Sequence, residues 1–142
     1  MKSKVLTPMR LCITPQQVHQ TGGPTSFQRK LVAHLHKHGI ETSFHLPDSD
    51  IDVVLVINGT RQLPALLSQK KRGTRIVQRL GGPNWMHRHL PFQLRHYIMA
   101  EARNLLMRFI RSYVADSIVY QSHFVEIWWN RVYGETSAPT QV

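Results

Sequence analysis

Cys12 is the only cysteine in the sequence. No disulfide can form within the chain, which suits a reducing compartment. In its apolar stretch Cys12 is expected to be a small buried hydrophobe rather than a reactive thiol. Acidic residues are scarce as well, 8 Asp and Glu against 18 Lys and Arg, leaving a net charge of +10. That excess favours an anionic partner, whether a nucleic acid, a phosphorylated substrate or an anionic membrane surface. A basic face with no specific anion is the plain alternative. Long apolar runs are missing too. The longest, Ile51–Ile57, is interrupted only by Asp52 and falls far short of a membrane-spanning helix. The N-terminal "MKSKVLTPMRLCITP" carries lysines but too short an apolar core for a secretion signal, so the chain is expected in the cytoplasm. The G-x-G-x-x-G fingerprint is absent, which argues against a nicotinamide or flavin site. There is no recognised nucleic-acid motif and no aromatic platform for single strands, so no nucleic-acid partner is expected.

What remains reads as one domain. At 142 residues and 42% hydrophobic content the chain can bury a single sizeable core. Residues 10–14 form a short buried strand. Phe27, Leu31 and Leu35 recur every four residues and mark a helix from Ser26, with Thr25 or Ser26 as its cap and Gly39 as its stop. "IETSFHL" (40–46) alternates as a second strand. "IDVVLVING" is rich in β-branched residues, which suits a strand covered on both faces. Pro64 opens a short helix and "TRIVQRL" (74–80) gives the next strand. A long helix covers roughly Gln93–Ala115, with Ile98, Ala102, Leu105, Phe109 and Tyr113 in one stripe. "SIVYQS" and "HFVEIWWNRVYG" supply a last strand and helix. Strands alternating with helices predict an α/β fold, a single Rossmann-like domain with a mainly parallel twisted sheet flanked by helices. Residues 1–9 read as an extension, 10–134 as the domain and 135–142 as a frayed polar tail.

Ligands of such sheets sit beyond the carboxyl ends of the strands. The segments expected there are "TPQQVHQTGGPT", "NGTRQ", "RLGGPNWMHRH" and "QSHF". In the first, Gly22 and Gly23 precede a helix start. Glycine lets backbone approach a ligand closely, and free N–H groups at a helix start suit a phosphate. Locally, a tight strand-to-helix turn explains the pair equally well. The third segment gathers Arg79, Asn84, Trp85, His87, Arg88 and His89. A neutral His can donate to an anion and Arg fits phosphate oxygens bidentately. The alternative is a solvated basic loop with Trp85 packed on the core.

Other clusters read more plainly. His34 and His38 share a helical face without a nearby carboxylate, so a surface helix is expected there and no metal site. The D-x-D patterns of "DSDID" fall at the strand's entry, away from the crevice, and read as turn chemistry. Arg95, Arg103, Arg108 and Arg111 could face lipid headgroups but are expected to solvate the outer side of the long helix. Trp128 and Trp129 cannot both face the core, since adjacent helical residues point about 100° apart.

Together these pieces resemble the N-terminal domain of a GT-B-fold, family-4 retaining glycosyltransferase. The residues that carry it are "TGGPTSFQRKLVAHLHKHG", "IDVVLVING", "RIVQRLGGPNWMHR" and "ADSIVYQSHFVEIWWNRVYG", the last being the most specific. The resemblance implies transfer of a sugar from a nucleotide-sugar donor to a sugar or lipid-linked acceptor, with no metal and no cofactor. It places Thr21, Gly22 and Gly23 in the loop that closes on the donor's diphosphate. It places His87 near the reacting sugar as the catalytic candidate, with Arg79, Asn84 and Arg88 beside it. Ser122 would cap the helix after the fifth strand. The family's second domain carries two glutamates separated by seven residues, and neither Glu101 nor Glu126 has a partner eight positions on. The chain is therefore expected to act as the acceptor-side half of an enzyme, inactive without a donor-binding domain or chain. The alternative is a non-catalytic basic module docking on an anionic membrane, peripherally at its inner face, or on a partner protein.

Overall fold

The β-branched run in the middle of the chain sets the architecture. In a computed structural model, described over residues 8–17 and 22–142, it forms a strand, Val53–Ile57, buried at its last four positions. Only a strand with helices on both faces needs that much apolar character. It is the third strand, β3. The others are β1 (Arg10–Thr14), β2 (Glu41–Ser43), β4 (Arg75–Leu80), β5 (Ser117–Tyr120) and β6 (Thr140–Gln141). All neighbours pair in parallel, in the order β2-β1-β3-β4-β5-β6. The helices are α1 (Gly23–Lys37), α2 (Leu63–Lys71), α3 (Leu94–Phe109) and α4 (His123–Tyr133). The fold is thus the Rossmann-like α/β domain expected.

Parallel strands require crossovers, and right-handed crossovers decide which face each helix covers. From β1 the chain runs to β2 on one side and from there to β3 on the other, so the helix face changes at that point. Phe27, Leu31 and Leu35 of α1 pack with Leu11, Ile13, Leu55 and Ile57. The opposite sheet face, with Cys12, Val54, Val56 and Ile76, packs on Leu66 of α2 and on Ile110 and Val114. Further along that face, Leu80, Ile118 and Tyr120 meet Met107 of α3 and Val125 and Trp129 of α4. Each such aliphatic side chain, fully buried, contributes about 1.5–3 kcal/mol. Cys12 is fully buried, and burial pushes its thiol up to about 11, the inert behaviour expected of it.

Several local expectations are corrected. Helix α1 begins at Gly23 rather than Ser26, with Gly22 as its cap and no side-chain capping bond. Pro24 explains the earlier start, because proline suits a first turn whose N–H groups have no helical partner. Strand β2 is only Glu41–Ser43. Helix α3 ends at Phe109 and continues as one π-helical turn, Ile110–Val114. The tail does not fray. Thr140 and Gln141 add a sixth strand beside β5.

Arg111, expected in solvent, is the largest correction. It is 1% exposed. Four residues after Met107 and seven after Asn104, it falls on the buried face of the helix, and its Nε donates to the Tyr120 hydroxyl at 2.9 Å. Its Nη2 donates to Asn130 Oδ1 at 2.6 Å and to the Gly134 carbonyl at 2.8 Å. The Asp-rich turn behaves as expected: Asp52 Oδ2 accepts from the Arg10 amide at the entry side of the sheet, and Asp48 accepts from the Ser43 hydroxyl at the end of β2.

Candidate functional site

Strand order reverses between β1 and β3, so their carboxyl ends diverge and open a crevice. A cleft of about 750 Å³ lies there. Gln17 borders it after β1, Asn58 to Gln62 after β3, and Gly82 and Asn84 after β4. Helix α3 closes the far wall with Met99, Arg103 and Leu106. Three of the four strand-end segments singled out in the sequence thus converge, and "QSHF" does not join them.

Asn58 shapes this edge. Its φ of 62° lies in the left-handed region that asparagine tolerates better than most residues. In that conformation its amide donates to the Arg79 carbonyl at 2.8 Å and its Oδ1 accepts from the Gly81 amide at 2.9 Å. The ends of β3 and β4 are thereby stitched together. The crossing is close: a Cβ on Gly81 would stand 3.2 Å from Gln121 Oε1, so that side chain would have to shift by a few tenths of an ångström. Beneath the cleft, Gln78 Nε2 donates to the carbonyls of Asn58 and Met107. Thr14 and Thr60 hydroxyls share a buried hydrogen bond of 3.0 Å across the switch point.

The cleft's charge is one-sided. Among the described residues its charged lining is Arg61 and Arg103, and no carboxylate borders it. Among the described residues neither guanidinium has an ion-pair partner. The polar remainder is amide and hydroxyl, from Gln17, Asn58, Thr60, Gln62 and Asn84. Such a lining suits a hydroxyl-rich ligand bearing a negative charge.

A second cleft of about 590 Å³ shares Asn84, Met99 and Arg103 with the first and extends along the loop before α3. Asn104, buried in α3, fixes this loop by accepting from the Asn84 amide at 2.9 Å and donating to its carbonyl at 2.7 Å. His87 lines the second cleft with a side chain only 2% exposed. Its Nε2 lies 2.8 Å from Glu101 Oε1, which also takes Arg88 Nη2 at 2.7 Å. These hydrogen bonds, that of His87 first, hold the Glu101 carboxyl below its ordinary range, against partial desolvation. An ionised Glu101 only accepts, so Nε2 carries the proton. The other ring nitrogen, Nδ1, is buried without a partner.

The remaining candidates spread along the same edge. Gly22 and Gly23 line neither cleft. They stand open at the start of α1, where a Cβ on either meets nothing within 4 Å. Thr21 lies outside the described residues. Arg79 stacks on the Phe27 ring at 4.0 Å, beside the first turn of α1, and burial lowers its pKa. Arg88 is held by Glu101 rather than free for a phosphate. Ser122 is the cap expected, its hydroxyl accepting from the Val125 amide at 3.3 Å. Trp85, expected against the core as the plain alternative, is 52% exposed. Its place is taken by Trp129, fully buried, whose Nε1 donates to the Gly81 carbonyl at 3.0 Å.

No family model, curated protein or solved structure matches this chain. What the site can do is therefore read from its own side chains. The strand-end segments named in the sequence hold Gln17 and Arg61 without singling out either, Arg103 was expected on the outer side of α3, and Glu101 and Asn104 behind the second cleft were not expected there. Position after β3 was the available signal for Arg61. For the α3 residues nothing in the spacing told which side of the helix faces the crevice. Among the described residues no three His, Cys, Asp or Glu side chains converge as metal ligands would.

Proposed function

We propose that this domain is the acceptor-side half of a nucleotide-sugar-dependent glycosyltransferase of the GT-B, family-4 kind. It would act with a donor-binding domain and transfer a sugar with retention of configuration. The observation that carries the reading is the cleft at the β1/β3 switch point, lined by amides, hydroxyls and two unpaired arginines. Hydroxyl-rich acceptors are recognised by such convergent amide and hydroxyl groups, and the arginines favour an acceptor bearing phosphate or carboxylate.

The start of α1 supports a neighbouring role. The open glycine turn and the first-turn N–H groups suit the diphosphate of a donor presented from the other domain. Arg79 stands beside that turn. These groups would stabilise charge developing on the departing nucleoside diphosphate, which is electrostatic catalysis without a metal. His87 takes a positioning role in this reading. Its ring is shielded from solvent and tied to Glu101, so it fixes the wall of the second cleft, which shares Asn84 and Arg103 with the acceptor cleft.

Calorimetric titration tests the proposal. Sugar phosphates and glycosides are titrated into the chain alone, and nucleotide sugars into the chain with and without a donor-binding domain. Acceptors are expected to bind the chain alone, and donors only the mixture. A chain that binds no acceptor, with a mixture that neither binds donor nor turns over, overturns the reading.

A further inference from the structure

Helix α3 has two apolar faces, and only one of them is covered. Ala100, Asn104 and Met107, with Ile110 and Val114 beyond, turn inward. The stripe of Leu94, Ile98, Ala102, Leu105, Phe109 and Tyr113 turns outward. Leu94, Ile98, Leu105 and Tyr113 are each more than half exposed, Tyr113 at 75%. At helical spacing these positions fill an arc of about 100°. The rings of Phe109 and Tyr113 adjoin at 5.5 Å, so the stripe runs unbroken into the π turn. A monomeric domain rarely leaves a continuous apolar strip in water.

The charges beside the strip say what covers it. Arg95 falls at one edge of the strip and Arg108 on the other flank, both exposed, while Arg103 lies further round on the cleft wall. The one acid of the helix, Glu101, is held by His87 and Arg88. Arg108 leans on the Tyr133 ring at 5.4 Å and, among the described residues, has no carboxylate partner. Apolar side chains flanked by an arginine on each side match a bilayer surface, where the strip enters the acyl boundary and the guanidiniums reach phosphates. No helix among the described residues is long and apolar enough to cross a membrane, so the contact is lateral. We propose that the outward face of α3 docks the domain on an anionic lipid surface. This inference stands whether or not the cleft binds a sugar acceptor.

Co-sedimentation with vesicles of phosphatidylglycerol and phosphatidylcholine in equal parts tests it. The chain is expected to bind them, to ignore pure phosphatidylcholine, and to lose binding steeply as salt rises. Arg108→Gln should weaken binding about fivefold, and the pair Leu105→Glu with Phe109→Glu should abolish it at an unchanged melting temperature. An environment-sensitive label at Leu105→Cys should shift to the blue on binding, and one at Lys37→Cys should not. Cys12, fully buried, stays unlabelled. Absence of binding at low salt overturns the proposal, as does binding that survives the paired glutamates or shifts the Lys37→Cys label instead. Self-association abolished by the same pair, without vesicle binding, overturns it by assigning the face to a second copy.

Discussion

His87 and Glu101 are joined at 2.8 Å between Nε2 and Oε1, linking the loop after β4 to the middle of α3. Arg88, one residue further along the loop, donates to the same carboxylate oxygen. This junction holds the loop that lines the second cleft against α3.

Its strength should depend on acid. The Glu101 carboxyl titrates below its ordinary range in the folded chain. It therefore adds stability above the unfolded value of about 4.3, and that stability is lost as pH falls through the lower folded value. Glu101→Gln should unfold at lower urea than the parent near neutrality, and the two midpoints should converge in acid. The side chain is 31% exposed, so solvent screening keeps the gap modest. A gap that persists undiminished in acid would mean that Glu101 acts through packing rather than charge.

Arg111 gives a larger effect at a place remote from both clefts. Arg111→Ala strands the Tyr120 hydroxyl, the Asn130 amide oxygen and the Gly134 carbonyl, and should cost about 3 kcal/mol in urea unfolding. The same change should speed amide exchange in β6, because the guanidinium Nη2 holds the Gly134 carbonyl at the root of the tail. A cost under about 0.5 kcal/mol would place the guanidinium in solvent.

The two glycines before α1 should respond differently. Gly22 sits at φ 146° and ψ −176°, a conformation nearly confined to glycine, so Gly22→Ala should cost about 1–3 kcal/mol despite the open space around it. Gly23 is already helical, and Gly23→Ala should stay within about 0.5 kcal/mol of the parent by thermal melting. Equal losses would contradict this assignment of the helix start.

Much of the fold is legible in the residues because burial on both faces demands a particular composition. The β-branched run before Asn58 could be little else than an inner strand, and the spacing of Phe27, Leu31 and Leu35 fixed the covered face of α1. Periodicity alone does not say whether an apolar stripe points in or out. The Ile98-to-Tyr113 stripe has the spacing of a core face, yet Asn104 and Met107 occupy that role. Arg111 shares that buried face, four residues after Met107 and seven after Asn104, but its charge pointed to solvent and the spacing does not advertise Tyr120, Asn130 and Gly134 as its partners. Strand β6 depends on hydrogen bonds to β5 that a polar tail does not advertise. Of the site, the strand-end positions were readable, whereas Glu101, Arg103 and Asn104 become neighbours of the clefts only through the packing of α3.

Amide chemical-shift titration with sugar phosphates and with their unphosphorylated counterparts tests the central claim most directly. Saturable shifts are expected at Gln17, Asn58, Thr60, Gln62 and Asn84, stronger for the phosphorylated ligands, and weakened severalfold by Arg61→Ala and Arg103→Ala. Shifts confined to residues outside the switch-point cleft, or none with any sugar, would contradict an acceptor site there.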